Sequence, residues 1–246
     1  MTAGAVCLGV TQSLAGKTWR FRLADEDRAS AIARSQQMPD ALARILAARG
    51  FVEADAGRHF DASLKSWMPD PSSFADMDKA AARIADAIAG NEKAAVFGDY
   101  DVDGGASSAL MARYFRALGR EIRIYIPDRM TEGYGPSANA MRTLAGEGAT
   151  LVITVDCGAQ AFDAFDAARD AGLTVVVADH HMMDARTPYA FAIVNANRPG
   201  DNSGLGHLCA AGVTFMLLTS INHELRRRNW STQSGTLQPD LRRLLD

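Results

Sequence analysis

From residue 94 onwards, short β-branched runs alternate with longer helical stretches, and this alternation restricts the fold more than any other feature. The apolar runs are "AAVFGD", "IRIYI", "LVITVD", "LTVVVAD" and "FAIVN", at 94–99, 122–126, 151–156, 173–179 and 191–195. Helical periodicity fills most of the intervals between them, at about 105–119, 136–147 and 160–171. Strands that alternate with helices predict an α/β fold with a mostly parallel β-sheet flanked by helices.

The first 90 residues have a different pattern, with helical segments after a short extended start. "MPDALARILAARG" at 38–50 and "DMDKAAARIADAIAGNEK" at 76–93 have apolar residues at helical spacing. A proline-rich stretch, "WMPDPSS" at 67–73, connects these two segments. We therefore predict a mainly helical lead-in at 1–90 that packs on an α/β domain at 91–246.

Composition and charge indicate the cellular compartment of the protein more than its function. The chain has 246 residues and a formal net charge of −3. The molecule therefore lacks the overall positive charge that would indicate a polyanionic partner. Its cysteines, Cys7, Cys157 and Cys209, are widely spaced and odd in number, which is typical of reduced thiols. No apolar stretch reaches the about 18 residues of a membrane span, and no basic segment precedes the apolar start. We therefore expect a cytoplasmic chain with no membrane partner.

Carboxylate and imidazole side chains follow three of the predicted strands at the point where each strand ends. At these positions stand Asp99, Asp101, Asp103, Asp156, Asp179, His180 and His181. Because ligands bind beyond the carboxyl ends of the strands in open α/β sheets, we expect these side chains to form one site. Hard oxygen ligands with imidazoles suit Mn²⁺ or Mg²⁺ and need no thiolate. The sequence favours a two-metal site, in which alternation along an extended segment points Asp99, Asp101 and Asp103 in one direction.

The spacing D-x-D-x-D-G also opens the calcium-binding loop of an EF-hand, which is the main alternative for this motif. When the loop is started at Asp99, its twelfth position is Leu110, where an EF-hand needs a bidentate Glu. The residues before Asp99 also form a predicted strand rather than a helix. Both observations exclude the EF-hand.

Two glycine-bearing loops, at 128–140 and 197–213, and one histidine are candidates for binding a substrate. The loop "DRMTEGYGPSANA" at 128–140 precedes a helix whose first backbone N–H groups can hold a phosphate, and Arg129 can assist by bidentate pairing. A plain turn explains this loop equally well. His207 is placed at the start of a long helix predicted over roughly 207–228, as a substrate contact or as a packing residue. The alternation in "ADHHMMD" allows one histidine to bind metal while its neighbour serves another role, such as contacting a phosphate.

The motifs "GDYDVDG", "VDCG", "ADHH" and "SGLGHLCAAGV", in this order and spacing, resemble those of the DHH phosphoesterase superfamily. Within it, "IPDRMTEGYG" and "GHLCAAGVTF" resemble the RecJ-type exonucleases, which degrade single-stranded DNA in the 5′→3′ direction. The resemblance implies metal-dependent hydrolysis of phosphodiester bonds and a role in DNA repair and recombination. It also implies 5′-phosphorylated single-stranded DNA as the substrate and a single-strand-binding protein as a further partner.

The same resemblance implies a role for each candidate site residue. Two divalent cations, usually Mn²⁺, would be held by Asp101, Asp103, Asp156 and His180. Asp156 would bridge the two cations, Asp99 would be a further ligand or orient one, and His181 would contact the scissile phosphate. Such a pair of cations activates a water molecule and neutralises charge on the attacking and leaving oxygens.

The chain departs from the RecJ-type pattern at its C-terminus. Members of that family continue into a segment of the type "GT-(V/I)-A-D-V", whose Asp completes the metal site, and then into a second, DHHA1-like domain with a "GGGH"-like motif. Neither is found in this sequence. The resemblance therefore leads us to expect a truncated chain that is poorly active or inactive alone.

Two other functions stay open at this point. Another DHH phosphodiesterase would act on short oligonucleotides, cyclic dinucleotides or pyrophosphate. The pyrophosphatases carry a His where this chain has Phe97, and the small-nucleotide enzymes lack the "GHLCAAGV" stretch. A non-catalytic DHH binding module would show eroded ligands, whereas every ligand expected within this span is present.

Overall fold

The structure, a computed structural model, describes residues 5–22, 25–61 and 63–245. The chain forms two compact units, Met1–Pro69 and Asp70–Asp246. The helix at Met77–Gly90 was predicted to belong to the lead-in at 1–90. It lies instead in the unit that contains the sheet. This helix contacts the last strand and a long C-terminal helix. Amphipathic periodicity predicts that such a helix has a buried face, but not which element covers that face.

The unit Met1–Pro69 is mainly helical. Its helices are α1 (Glu26–Gln36), α2 (Asp40–Ala48), α3 (Glu53–Ala56) and α4 (Leu64–Trp67). Small and branched apolar residues of α1 and α2, such as Ile32 and Leu46, form a buried cluster. The side chain of Asp25 caps α1 by accepting the N–H of Arg28 at 2.9 Å. The unit therefore has a small helical core of its own.

The unit Asp70–Asp246 contains a five-stranded sheet in which every pair of neighbouring strands is parallel. The strands are β1 (Ala94–Gly98), β2 (Ile122–Tyr125), β3 (Leu151–Val155), β4 (Thr174–Ala178) and β5 (Ala192–Val194). Their order in the sheet is β2-β1-β3-β4-β5, so the direction of winding reverses between β1 and β3. The predicted α/β fold class is confirmed, and such a reversal is where open α/β sheets bind their ligands.

Helices cover both faces of this sheet. They are α5 (Met77–Gly90), α6 (Val102–Ala117), α7 (Ala138–Gly146), α8 (Phe162–Asp170), α9 (Ala210–Arg227) and α10 (Trp230–Ser234). α9 contacts α5 and α6, whereas α7 contacts α8. β1 and β3 are buried at every position because both faces are covered. Within the described ranges, no helix combines the length and the apolar character that crossing a membrane requires.

Candidate metal centre

The first acidic motif does not continue the strand, so the prediction that alternation along an extended segment aligns its aspartates was wrong. β1 ends at Gly98, and Asp101 is the N-cap of α6. Its Oδ1 accepts hydrogen bonds from the N–H groups of Asp103 at 2.9 Å and Gly104 at 3.0 Å. An Asp in this position pairs amides that a helix start leaves without partners, and this favours helix over extended chain. Asp103 consequently lies in the first turn of α6.

Gly104 allows α6 to begin directly against the end of β1. A Cβ at this position would lie 2.5 Å from the carbonyl oxygen of Asp99 and 2.7 Å from its Cα. These are backbone atoms, so they can give way only if the strand end moves. At Gly105, by contrast, an added Cβ would meet nothing within 4 Å. Only the first of the two glycines is therefore required by a close approach.

Asp156 follows β3 and is almost completely buried, with 2% of its surface exposed. Its φ of 60° lies in the left-handed region, which residues other than glycine seldom adopt and which is enriched at functional sites. Burial, together with the charges of Asp103 and Asp101, raises the pKa of Asp156 to about 7. A buried carboxylate beside two others is unfavourable unless a proton or a cation neutralises it.

The ends of β1, β3 and β4 bring the candidate ligands to one place. One ligand atom from each of Asp99, Asp101 and Asp156 lies within 4.8 Å of the other two. The same holds for Asp156, His180 and His181. We refer to these five residues as the acidic cluster. Because Asp156 belongs to both groups, the cluster could hold two neighbouring cations with one shared ligand, and its oxygen and imidazole donors fit Mn²⁺ or Mg²⁺.

His180 faces the buried carboxylate of Asp156. Its Nε2 lies 3.3 Å from Asp156 Oδ1 and 3.7 Å from Asp103 Oδ2. Asp103 belongs to neither group of converging ligand atoms in the part of the chain that the structure describes. Its carboxylate instead accepts the backbone N–H groups of Ala210 and Ala211, each at 2.7 Å. Asp103 therefore lies between the acidic cluster and the start of α9.

Asp99 is held at the buried side of the cluster, with 4% of its surface exposed. Its Oδ1 accepts the N–H of Tyr100 at 2.8 Å. Burial raises the pKa of the Asp99 carboxyl, and the negative charge of Asp101 adds to this effect. The charge of Arg129, a predicted substrate residue, acts in the opposite direction.

Asp179 orients His181. The Nδ1 of His181 lies 2.8 Å from Asp179 Oδ1, and this contact raises the pKa of His181 to about 8. Burial disfavours the charged form of Asp179, yet its hydrogen bond from His181 and those from the N–H groups of His181 and Ala159 keep its pKa below the usual range. The contact with Asp179 consequently orients the ring of His181 and favours its protonated form. Sequence reasoning placed Asp179 among the strand-end side chains expected to form one site, but it did not predict that Asp179 orients His181.

Aromatic contacts link Arg129 to His181. The Arg129 guanidinium lies 5.3 Å from the centre of the Tyr100 ring, and Tyr100 meets Tyr134 edge to face at 6.4 Å. Tyr134 in turn meets His181 at 6.3 Å, beside a cavity of about 550 Å³ that both residues line. Tyr134 is 58% exposed, so one face of its ring is accessible. Sequence reasoning missed both tyrosines, although the "DYD" and "GYG" motifs contain them.

His207 is the predicted site residue that the structure does not connect to the acidic cluster. α9 begins at Ala210 and has Cys209 as its N-cap, so His207 lies in the preceding turn and is exposed. The prediction that His207 starts the helix was wrong, because "GLGH" forms a turn first. No hydrogen bond or ring contact joins His207 to the cluster within the described residues. The loop itself is tied to β4, because Asn197 Nδ2 donates to the carbonyl oxygens of His180 at 2.6 Å and Gly206 at 3.3 Å.

Several known proteins are similar to this chain. The family described as "DHH family, N-terminal domain" matches residues 93–240. The single-stranded-DNA-specific exonuclease RecJ of Bacillus subtilis (strain 168) is 34% identical over 207 residues, which are 84% of this chain and 26% of that protein. The chain thus spans about a quarter of the length of this relative.

Two solved structures resemble the fold. A crystal structure of exonuclease RecJ bound to manganese matches with a TM-score of 0.57 and 30% identity, over 62% of this chain and 38% of that chain. RecJ from Thermus thermophilus in complex with Mn²⁺ matches with a TM-score of 0.66 and 23% identity, over 88% of this chain and 29% of that chain. The second likeness concerns the fold alone.

Proposed function

The chain belongs to the DHH family, and from this premise we propose that it is the DHH domain of a RecJ-type exonuclease, which hydrolyses single-stranded DNA from the 5′ end with two divalent cations. The observation that carries the proposal is the convergence of carboxylate and imidazole side chains in two groups that share the buried Asp156. The names of the relatives support the substrate, because the B. subtilis protein is a single-stranded-DNA-specific exonuclease. The manganese in a solved relative supports the metal.

The proposed ligands are the residues that the resemblance to the RecJ-type exonucleases implies. Mn²⁺ or Mg²⁺ would be held by Asp101, Asp103, Asp156 and His180, with Asp99 as a further ligand or an orienting group. When bound there, two such cations would supply activation of a water molecule and neutralisation of charge on the attacking and leaving oxygens. The contribution of the chain is to hold carboxylates together where burial makes their mutual repulsion costly. A site of this kind favours a divalent cation over solvent, since the cation relieves that repulsion.

Substrate binding is proposed for the cationic and aromatic groups around the cluster. His181 is held as a cation by Asp179 and would contact the scissile phosphate, and Arg129 would bind a neighbouring phosphate. The accessible ring of Tyr134 would stack on a base, an interaction worth about 1–3 kcal/mol per base with little sequence preference. Bases of a single strand are free to stack in this way, whereas those of a duplex are occupied. His207 is proposed as a further contact from the exposed turn before α9.

The biological setting is part of the same proposal. We place the protein in the cytoplasm, with a role in DNA repair and recombination and with 5′-phosphorylated single-stranded DNA and a single-strand-binding protein as partners. The three free thiols, Cys7, Cys157 and Cys209, are consistent with a reducing compartment.

The test is a digestion of 5′-phosphorylated single-stranded DNA that carries a label at its 3′ end. The purified protein is used in molar excess with Mn²⁺. The expected result is progressive shortening from the 5′ end, with release of mononucleotides, while a blunt duplex of the same sequence persists. Asp156→Asn, which preserves shape and removes charge, is expected to abolish the reaction.

Three results would count against the proposal. Internal cleavage or equal attack on the duplex would contradict the specificity. Activity that survives the Asp156→Asn change would contradict the role of the acidic cluster. Faster hydrolysis of a dinucleotide than of the long strand would favour a phosphodiesterase that acts on short oligonucleotides.

A further inference from the structure

α9 begins without a cap from its own sequence. Its N-cap residue, Cys209, makes no side-chain hydrogen bond to the first turn, and that turn contains no acidic residue. The first amides of a helix have no partner within the helix and carry the positive end of its dipole. Ala210 is completely buried, so water does not take the place of a cap there. This helix start therefore needs an acceptor from another part of the chain.

Asp103 supplies that acceptor from the first turn of α6. Its Oδ2 accepts the N–H of Ala210 and its Oδ1 accepts the N–H of Ala211, each at 2.7 Å and across more than a hundred residues of sequence. Hydrogen bonds to an ionised carboxylate are shorter and stronger than neutral ones. The same Oδ2 lies 3.7 Å from Nε2 of His180. One carboxylate thus faces both the helix start and a residue of the acidic cluster.

We propose that Asp103 couples occupancy of the metal centre to the position of the first turn of α9, an inference that rests on the proposed function. Each carboxylate oxygen has two lone pairs, so one amide on each oxygen leaves others available to a cation. The amides of Ala210 and Ala211 act as positioning groups that hold the ligand in orientation. Because coupling between two states is reciprocal, a bound cation holds Asp103 and thereby restrains the start of α9.

A second contact between α6 and α9 does not involve the acidic cluster. The hydroxyl of Tyr114 donates to Oδ1 of Asn222 at 3.1 Å, in the buried interior and towards the other end of α9. Of these two hydrogen-bonded contacts between α6 and α9, only the one at the start of α9 includes a proposed metal ligand. The coupling should accordingly be confined to the first turn.

Two variants of Ala210 test the positioning role. Ala210→Pro removes one amide donor at the helix position where proline is favoured, and Cys209 already has the extended conformation that precedes proline. Ala210→Val adds a similar volume at the same buried site and keeps the N–H, so it is the matched control. Electron paramagnetic resonance of unbound Mn²⁺ measures the affinity of the full chain. We expect the Pro variant to bind Mn²⁺ about 10–100-fold more weakly than the Val variant, the usual effect of losing a group that orients a ligand.

Hydrogen exchange of the unmodified chain provides a second measurement that needs no variant. Mn²⁺ is expected to slow amide exchange in the peptide covering 208–213. The start of α1 serves as the control, because its cap, from Asp25 to the N–H of Arg28, is local. Equal Mn²⁺ affinities in the two variants, or unchanged exchange at 208–213 in a chain that binds Mn²⁺, would overturn the coupling and leave the metal centre intact. Absence of Mn²⁺ binding by the unmodified chain would overturn both.

Discussion

Nε2 of His180 lies 3.3 Å from Oδ1 of Asp156, although the two residues follow different strands. Their proximity results from the register of the sheet, in which Val155 of β3 pairs with Ala178 of β4. Residues that follow two neighbouring parallel strands lie at the same edge of the sheet. Burial places Asp156 where its charge needs compensation. His180 lies close enough that both side chains could hold the same cation.

The buried carboxylate should make stability depend on pH when no metal is present. The pKa of Asp156 is raised from 3.8 to about 7, so between these values the folded state keeps a proton that the unfolded state has released. The free energy of unfolding in the presence of a chelator is therefore expected to fall as the pH rises from about 4 to about 7. Asp156→Asn carries no charge at any pH and should lack this loss. Urea unfolding at both ends of the range measures it, and an identical pH dependence of the two proteins would show that Asp156 is not responsible.

Variants of Asp101 should separate helix capping from metal binding. Asparagine caps a helix about as well as aspartate, so the Asp101→Asn protein is expected to unfold near the wild-type temperature in chelator. It should, however, lose most of the increase in unfolding temperature that Mn²⁺ produces in the wild type. Asp101→Ala should lose both the Mn²⁺ effect and about 1 kcal/mol of unfolding free energy, because the N–H groups of Asp103 and Gly104 lose their acceptor. Thermal unfolding with and without Mn²⁺ distinguishes the two effects. A full Mn²⁺ response in the Asn variant would exclude Asp101 as a ligand.

The two adjacent glycines of the first motif should respond oppositely to the same substitution. Gly104→Ala places a Cβ 2.5 Å from the carbonyl oxygen of Asp99, and we expect a loss of about 1–3 kcal/mol as strand and helix are forced apart. Gly105→Ala meets no atom within 4 Å in the same helix and should raise the unfolding free energy by roughly 0.5–1 kcal/mol. Urea denaturation of the two variants provides the comparison. Similar effects at the two positions would show that the close approach to Asp99 does not limit the site.

Neutralising Asp179 should change the charge of His181 at neutral pH. The hydrogen bond from His181 to Asp179 raises the pKa of the imidazole from 6.5 to about 8, so the wild-type ring is mostly protonated at pH 7. In Asp179→Asn the pKa should move back towards 6.5, and the ring would then be mostly neutral at pH 7.5. Titration of the ring protons by NMR in chelator measures the shift, with His181→Ala to assign the signal. A His181 pKa that stays near 8 in the variant would assign the shift to another group.

Loss of the positive charge on His181 in the Asp179→Asn protein should also weaken binding of single-stranded DNA. At pH 7.5 the Asp179→Asn protein is expected to bind a 5′-phosphorylated strand more weakly than wild type, and the difference should shrink as the pH falls below 6. The sign follows from protonation, because both proteins carry a charged His181 at low pH. Fluorescence anisotropy of a labelled strand in the two proteins checks this dependence.

Local pattern predicts the positions of the strands well because burial on both faces selects continuous β-branched runs such as "LVITV" of β3. It also identifies His180 and Asp156 as neighbours, since both follow strands of one parallel sheet. The error at Asp101 and Asp103 has a physical cause, because an aspartate beyond a strand can either continue the extended chain or cap the next helix. The hydrogen bonds that the N–H groups of Asp103 and Gly104 donate to Oδ1 of Asp101 decide in favour of the helix.

The sequence alone determines the alternation of strands and helices. It also determines which acidic and imidazole residues stand at strand ends, because both features depend on residues within one element. Tertiary structure decides which atoms converge and how strongly they are perturbed. The raised pKa of Asp156 depends on burial by elements far away in the chain, and the contacts from Asp103 to Ala210 and Ala211 span more than a hundred residues. Such contacts require that water be excluded and that two helix starts be brought side by side. Those conditions exist only after the chain has folded.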